Sequence, residues 1–470
     1  MKATRIYNTL AILGLLALSS CSLVGSIDNI KPKYVLTDDN VITDQATAEY
    51  NLNSVYTAFR AQHIFWFRHY LNILTGTETQ GNLVGVEGFA SNNVLETNSG
   101  VADNYTELYT VVNEATSFIA NINKEGVQGI SEARKKQMVG EASFLRALAY
   151  FYLLREYGEF YDLNSAYGIV LHGDTPIRTS QPMERATVQD SYTAIVADLD
   201  NAIANAPQQS LHYRVSQTTA KALKARVLLY MQQYPEAASL AKTVIQEAPM
   251  AGYMLGENLQ KMFADGINMS EALFVLFTNI PNERDVDNNW TQPVGQKLQA
   301  KASSIRGDNT PDARFAAYFV NIAPETPWVS NAKYPNNPYA QDDPENTYFF
   351  LRLSEMYYIQ AEAEARQGRF AAAKDALKQI LCLPRAGYTE DYVNNIPESN
   401  LILTIVEQKW MELATESNEE WFDFVRCHVN DGTAIAPAYV ADDTHLCMPI
   451  PRKAMAGNNL LKQNPAYTSN

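Results

Sequence analysis

Between positions 279 and 347, aromatic residues occur together with residues that have short polar side chains. Seven of them are candidates for chemistry. They are Trp290, Trp328, Tyr334, Tyr339, Asp287, Asn289 and Asn336. A sugar ring has an apolar C–H face that packs on an indole or phenol ring, and its hydroxyl groups bond to amides and carboxylates. These seven residues are therefore candidate ligand-binding residues. The alternative interpretation is that the aromatic rings only fix long loops to the rest of the protein.

The same stretch contains an incomplete calcium-binding pattern. Asp285, Asp287 and Asn289 have the spacing of the first ligands of an EF-hand loop. The sixth position of such a loop requires Gly and the twelfth requires Glu, but this chain has Trp290 and Gln296 there. The sequence therefore predicts no metal site and no cofactor in this stretch.

A cluster of acids raises the possibility of an enzyme, because glycoside hydrolases use a pair of carboxylates roughly 5–9 Å apart. The cluster consists of Glu407, Glu412, Glu416, Glu419 and Glu420. It falls on a predicted helix, where a solvated or ion-paired face is the simpler explanation. The chain also lacks the G-x-S-x-G and H-E-x-x-H motifs. We therefore expect a protein that is not an enzyme.

Apolar residues at helical spacing predict a mostly α protein. The predicted helical segments are 47–72, 107–122, 131–157, 189–206, 218–248, 349–381 and 401–425. The stretch 140–158, "GEASFLRALAYFYLLREYG", is apolar almost all round. Such a helix is buried, so its aromatic side chains are predicted to belong to the core and not to a ligand site.

Two segments resemble each other and follow apolar helices. They are 232–249, "QQYPEAASLAKTVIQEAP", and 367–384, "QGRFAAAKDALKQILCLP". When Tyr234 is aligned with Phe370, small or apolar residues coincide three, seven and ten positions later. This pattern resembles the second half of a tetratricopeptide repeat, although the repeats are interrupted. It predicts helical hairpins stacked into an α-α superhelix.

Two regions, 75–104 and 279–347, lose helical periodicity and are predicted to be loop-rich. Their aromatic residues argue against disorder, and long loops in compact proteins are often functional. The chain has 470 residues and a formal net charge of −15. The acidic balance excludes a basic nucleic-acid-binding face.

The N-terminus has the pattern of a lipoprotein signal peptide. Lys2 and Arg5 precede a short apolar run, and the sequence 18–21, "LSSC", resembles a bacterial lipobox. In such signals the thiol of the final cysteine receives a diacylglyceryl group, so Cys21 is the predicted lipidation site. We expect a signal peptide over 1–20, a lipid-anchored tether over 21–45 and a single domain over 46–470.

Three cysteines follow the anchor, at Cys382, Cys427 and Cys447. An odd number does not form a disulfide framework. A bond between Cys427 and Cys447 stays open, because the compartment outside the cytoplasm is oxidising. The neighbours His428 and His445 do not give the spacing of a structural zinc site.

Four motifs resemble the SusD-like (SusD/RagB) family, the lipid-anchored nutrient-binding proteins of Bacteroidetes. The first is the stretch 140–158 quoted above. The others are "RLSEMYYIQAEAEARQGR" at 352–369, "EQKWMELATESNEEWFDFVR" at 407–426 and "MPIPRKAMAGNNLLKQNPAY" at 448–467. They occur in the family's order and cover nearly all of the chain after the signal. Ala466 departs from the glycine usual in the family, and the residues after Cys21 lack the acidic cluster common in surface-exported lipoproteins of this group.

The resemblance implies a tetratricopeptide-like half that packs against a partner and a loop-rich half that holds the ligand. It implies a protein anchored in the outer membrane at the cell surface. There it would capture an oligosaccharide for polysaccharide utilisation and deliver it, uncleaved, to a TonB-dependent, SusC-like transporter. One alternative is a helical-repeat scaffold or adaptor of the envelope with no small-molecule ligand. A glycoside hydrolase is the other.

Overall fold

The computed structural model describes residues 41–80, 83–125, 127–177, 181–278, 294–308, 310–321, 329–331, 333, 346–432 and 444–468. The first helices are α1 (Gln45–Ala58), α2 (Gln62–Thr75), α3 (Ser99–Ile122), α4 (Glu132–Tyr157), α5 (Val188–Asn205), α6 (Gln217–Tyr230) and α7 (Tyr234–Glu247). They are followed by α8 (Leu259–Ala264), α9 (Gln296–Ser304), α10 (Ala313–Tyr318), α11 (Leu353–Arg366), α12 (Phe370–Leu381), α13 (Glu390–Asn394), α14 (Glu398–Leu413), α15 (Glu419–Asp431) and α16 (Arg452–Gly457). The mostly α prediction is confirmed.

Short polar residues begin most of the long helices. The side chain of Asn98 accepts the amide of Val101 at the start of α3, at 3.0 Å. Ser131 and Thr187 cap α4 and α5 in the same way. Each cap satisfies an amide that has no partner within its own helix. The sequence therefore marks where these helices start.

Helix α4 is the centre of the larger hydrophobic core. Every residue from 140 to 158 is buried, which confirms the prediction that this stretch is not displayed. Both arginines of this stretch have buried acidic partners. Arg146 makes a two-pronged ion pair with Asp198 at 2.8 and 2.7 Å, and Arg155 donates to Glu419 at 2.6 Å.

The helices pack mainly against their neighbours in the chain. Contacts run from α3 to α4, α5, α6 and α7 in order, and α7 then packs against α11, which packs against α12. The two segments that resemble each other in sequence are α7 and α12, and each begins on its aligned aromatic residue, Tyr234 or Phe370. The turn before each contains a left-handed residue, Gln232 (φ 59°) or Gly368 (φ 72°). The predicted superhelix of hairpins is therefore present.

The loop-rich region departs from this stack between α7 and α11. It contains two small antiparallel sheets. Strand β1 (Ala272–Thr278) pairs with β4 (Asn346–Arg352), and β2 (Phe319–Asn321) pairs with β3 (Val329–Asn331). Because α7 packs on α11, the roughly hundred residues between them are an insertion between neighbouring hairpins.

Four predicted helical segments are interrupted in the structure, and one of them, 218–248, divides into α6 and α7. The segment 47–72 divides into α1 and α2 at Ala61, whose extended backbone (φ −62°, ψ 144°) lies outside the helical region. The segment 349–381 starts as strand β4. The segment 401–425 breaks between α14 and α15, where Thr415 and Asn418 have φ of 68° and 59°. The loop region predicted over 75–104 ends earlier, since α3 begins at Ser99.

The three described cysteines are free thiols, so Cys427 and Cys447 do not form a disulfide. Both are buried, and burial raises the pKa of each to about 12. Cys382 is partly exposed. Among the described residues, no helix is long and apolar enough to cross a membrane.

Candidate functional site

The predicted ligand-binding residues lie outside the described residues. This holds for Trp290, Trp328, Tyr334, Tyr339, Asp287, Asn289 and Asn336, and also for the predicted lipidation site Cys21. The structure does describe the positions where the chain enters and leaves the segments 279–293, 322–328 and 334–345. We call these three segments the loop segments, and the described residues that hold their ends the frame.

The sheet formed by β1 and β4 holds the outer ends of the loop segments. Thr278, the last residue of β1, pairs with Asn346, the first residue of β4. The chain therefore leaves the frame and returns to it at adjacent positions. The amide of Leu353 donates to the backbone oxygen of Glu271 at 2.8 Å, which continues the pairing into α11.

A close contact with the loop after α2 fixes the end of segment 279–293. Val294 forms a β-bridge with Glu78. The amide of Gly295 donates to the backbone oxygen of Thr77 at 2.7 Å. A Cβ atom on Gly295 would lie 2.0 Å from the carbonyl oxygen of Gly76. Only glycine permits this approach of the two backbones.

A buried lysine fixes the start of segment 334–345. The ammonium group of Lys333 donates to the backbone oxygen of Glu412 at 2.9 Å and to Glu416 at 2.6 Å. It also lies 3.9 Å from the ring centre of Tyr318. Burial lowers the pKa of Lys333 to about 8, although Glu416 acts in the opposite direction. Segment 322–328 is held by the pairing of Asn321 with Val329.

A buried network of ion pairs stabilises the residues that hold the ends of the loop segments. Arg352 donates to Glu416 at 2.7 Å and to Glu271 at 2.9 Å. Glu412 lies between Arg314, Arg352 and Arg385, which hold the pKa of its carboxyl down to about 2 despite its burial. The network links β1, β4 and α10 to α14.

Most of the acidic cluster identified in the sequence is therefore buried inside the protein. Four of the five acids are buried, namely Glu412, Glu416, Glu419 and Glu420, so the prediction of a solvated face is wrong for them. The prediction of ion pairing is confirmed for Glu412, Glu416 and Glu419. Glu407 is the more exposed member and pairs with Lys301. Glu412, Glu416 and Glu419 neutralise buried cations.

An aromatic cleft lies beside the frame. It is lined by Phe59, Ile64, Phe65, Arg68, Tyr152, Glu156, Tyr348, Phe349, Phe350, Glu416 and Asn418. The rings of Phe65 and Tyr348 meet edge to face at 4.0 Å, and the guanidinium of Arg68 lies 4.2 Å from the ring centre of Phe65. The free space is about 30 Å³. Such a space accommodates a water molecule and is too small for a sugar ring.

Two buried carboxyl groups next to the frame have raised pKa values. Burial raises the pKa of Glu156 to about 8 and that of Glu420 to about 7. Asn104 donates to Glu156 at 2.7 Å, which partly offsets the effect. Nearby, His69 and Glu78 are joined by a buried hydrogen bond of 2.7 Å. Among the described residues, no three His, Cys, Asp or Glu side chains come together as a metal site.

Two family profiles match separate parts of the chain. Residues 33–229 match the profile described as "Starch-binding associating with outer membrane". Residues 323–467 match the profile described as "SusD family". The chain belongs to the SusD/RagB family. The family suggested by the four sequence motifs is thereby confirmed.

Individual SusD-like proteins agree with this assignment. A SusD-like protein of Bacteroides ovatus is 30% identical over 141 residues, which are 30% of this chain and 24% of that protein. SusD-like protein P38 of Formosa agariphila is 22% identical over 97% of this chain and 98% of its own length. The solved structure of a laminarin-binding SusD-like protein superposes with a TM-score of 0.70 at 20% identity. The superposition covers 90% of this chain and 100% of that one.

Sequence reasoning found the aromatic residues of the SusD-like loop segments but missed the residues that anchor them. Lys333 stands in a polar stretch and gives no signal of burial. Glu412 does give one, because it lies between Met411 and Leu413 within a helical motif and a buried acid requires a cationic partner. Gly295 gives a weaker signal, since a glycine after an irregular segment often marks a close backbone approach.

Proposed function

We propose that this chain is a lipid-anchored outer-membrane protein that captures an oligosaccharide and passes it, uncleaved, to a TonB-dependent transporter. The observation that carries the proposal is the frame. All seven candidate residues belong to segments whose ends are held by the frame. Fixed ends restrict the conformations of a loop and so reduce the entropy lost on ligand binding.

Family membership supports carbohydrate as the ligand. The related protein of known fold is described as laminarin-binding, and the profile that matches the first half refers to starch. The aromatic and amide residues of the loop segments suit a neutral sugar chain. The ligand would lie on the loop segments and not in the aromatic cleft, because that cleft holds no more than a water molecule.

The absence of cleavage is part of the proposal. The buried carboxylates Glu412, Glu416 and Glu419 are engaged by arginine and lysine side chains. An acid held in this way is not available as a proton donor to a glycosidic bond. Incubation with polysaccharide should therefore release no reducing ends.

Anchoring and transport rest on the N-terminus and on the helical half. Cys21 would hold the protein in the outer membrane through its acyl chains, since each buried CH₂ contributes about 0.8 kcal/mol. The stacked hairpins would form the surface for the transporter. Replacing Cys21 with Ser should release the protein from membranes. Purification from detergent-solubilised outer membrane should recover a large barrel protein with the wild type, and failure to recover one would count against transport.

Binding to carbohydrate can be tested by calorimetry. The probes are laminarin, soluble starch, xylan and mannan, with Trp290→Ala and Trp328→Ala as test variants. Tyr50→Ala is the matched control, because Tyr50 is a 74% exposed aromatic residue of α1. We expect one polysaccharide to bind, each loop variant to weaken binding at least tenfold and the control to bind as wild type. Unchanged binding in both loop variants would place the ligand elsewhere.

A further inference from the structure

A second concave surface lies between α3, α16 and the segment that follows α4. We call it the α3–α16 groove. Its lining residues are Ala102, Tyr105, Thr106, Tyr109, Thr110, Asn113, Val170, His172, Thr175, Pro176, Ile177, Gln181, Met183, Pro451, Lys453, Ala454, Gly457, Asn458 and Leu461. Two wide parts of about 400 and 700 Å³ share Ile177, Lys453 and Ala454. Each is within the range of roughly 300–1,000 Å³ typical of small-molecule sites.

The charge of the groove differs from that of the chain. The protein has 52 acidic and 37 basic residues, yet none of the described lining residues is acidic. Lys453 is the one lysine among them and is exposed. Burial lowers the pKa of His172, so this imidazole is neutral at pH 7. The described part of the groove offers no lining carboxylate to pair with a cation and only Lys453 to pair with an anion.

The polar groups of the groove are instead neutral hydrogen-bonding groups. They are the hydroxyls of Thr106, Thr110 and Thr175 and the amides of Asn113, Gln181 and Asn458. Between them lie apolar surfaces from Ile177, Pro451 and Ala454. A ligand that alternates hydroxyl groups with C–H faces matches this mixture. A helical peptide would require a continuous apolar stripe.

The aromatic part of the groove is held in place. The hydroxyl of Tyr109 donates to the backbone oxygen of Val170 at 3.2 Å and accepts the amide of the same residue at 3.0 Å. Its ring lies 4.8 Å from that of Tyr105 and 5.5 Å, edge to face, from that of His172. Tyr109 is only partly buried. It thus presents a fixed ring, which costs little entropy on binding.

The walls of the groove are also tied together. Asn113 accepts the amide of Ile177 at 2.7 Å, which joins α3 to the segment after α4. Asn458 accepts the amide of Met183 at 3.0 Å and donates to its backbone oxygen at 2.7 Å, which joins α16 to the same wall. The groove is therefore formed before any ligand arrives.

We propose that the α3–α16 groove is a second binding site and that it takes a neutral oligosaccharide. The inference rests on the proposed function for the class of cargo but concerns a different set of residues. The groove and the aromatic cleft of the frame have no lining residue in common. Two sites on one chain hold a long polysaccharide more tightly than either site alone, because the second contact is intramolecular.

Blocking variants test the groove directly. Thr110→Trp fills it from α3, and Lys453→Trp fills it from α16, so that a folding defect in one variant leaves the other for the measurement. Thr193→Trp is the matched control. Thr110 and Thr193 are both exposed helical threonines whose hydroxyls donate to the carbonyl oxygen four residues earlier, at 2.9 and 2.8 Å. Thr193 lies on α5 and does not line the groove.

The measurement is calorimetric stoichiometry with laminarihexaose, maltohexaose, xylohexaose, mannohexaose and the acidic hexagalacturonate. We expect the wild type to bind two molecules of one neutral hexasaccharide. Each groove variant, and likewise Trp290→Ala, should bind only one. A stoichiometry unchanged in both groove variants would overturn the inference and leave the proposed function intact. Loss confined to the groove variants would support the groove and overturn the loop site. A preference for hexagalacturonate contradicts a neutral ligand, and no binding by any probe counts against both proposals.

Discussion

Replacing Glu156 with Gln should change how the stability of the protein depends on pH. Glu156 is buried at the end of α4 beside the aromatic cleft and accepts a hydrogen bond from Asn104. Burial raises its pKa from 4.5 to about 8, with Arg155 and Asn104 acting weakly in the opposite direction. The carboxyl group is therefore mostly neutral in the folded protein at pH 7 and ionised in the unfolded chain.

The sign and size of the effect follow from linkage between proton binding and folding. Between pH 4.5 and pH 8 the folded state binds more protons at Glu156 than the unfolded state does, so the free energy of unfolding falls as pH rises through this window. Each pKa unit corresponds to about 1.4 kcal/mol. From pH 5 to pH 8, the loss due to this one group is roughly 3 kcal/mol. Glutamine keeps the acceptor for Asn104 and has no proton to lose.

The assay is urea unfolding at pH 5, 6, 7 and 8, followed by circular dichroism and tryptophan fluorescence. Subtracting the wild-type free energy of unfolding from that of Glu156→Gln removes the contribution of every other titrating group. We expect this difference to shift in favour of the variant by roughly 3 kcal/mol from pH 5 to pH 8. Glu398→Gln, at an exposed position in the first turn of α14, is the control for an added amide.

The reasoning is refuted if wild type and Glu156→Gln show parallel pH profiles. Parallel profiles would mean that the carboxyl group is solvated or paired in the folded state. A difference that moves in the opposite direction would mean that a nearby cation stabilises the ionised form.

Two further substitutions test the packing of the scaffold and the anchoring of the loops. Gly140→Ala should lower the free energy of unfolding by about 1–3 kcal/mol, because the new Cβ atom would lie 2.6 Å from the backbone nitrogen of Ala206. The control is Gly457→Ala, whose new Cβ atom meets open space. It should leave the melting temperature nearly unchanged. Lys333→Met should cost about 3 kcal/mol, because it leaves a buried carboxylate short of a partner, and it should weaken glycan binding. The surface variant Lys374→Met should do neither, and equal melting temperatures for the two lysine variants would contradict a buried anchor.

Local sequence patterns predicted the helical scaffold well, because each pattern acts over one or two turns. The helix around 140–158 is apolar on all sides and is buried as expected. The similarity between the segments at Tyr234 and Phe370 identified two hairpins that pack together although more than a hundred residues separate them. Breaks such as the one at Ala61 were missed, because alanine favours helices and gives no signal that a helix ends.

The position of the candidate site could be predicted only in part. Composition showed which residues suit a sugar, but the frame depends on contacts between distant parts of the chain, such as Lys333 with Glu416 and Val294 with Glu78. The α3–α16 groove escaped sequence reasoning for the same reason. Its walls come from three separate stretches, and Tyr109 and Asn458 have no pattern in common.

The pairing of Thr278 with Asn346 joins the two ends of most of the insertion between α7 and α11. The cost of closing a loop rises only with the logarithm of its length, about 0.6 kcal/mol for each doubling. The segments 279–293, 322–328 and 334–345 can therefore be exchanged for ones of different length or composition, provided that Arg314 and Lys333, which neutralise buried carboxylates, are kept. A new cargo preference could be introduced by transplanting these segments between their fixed ends.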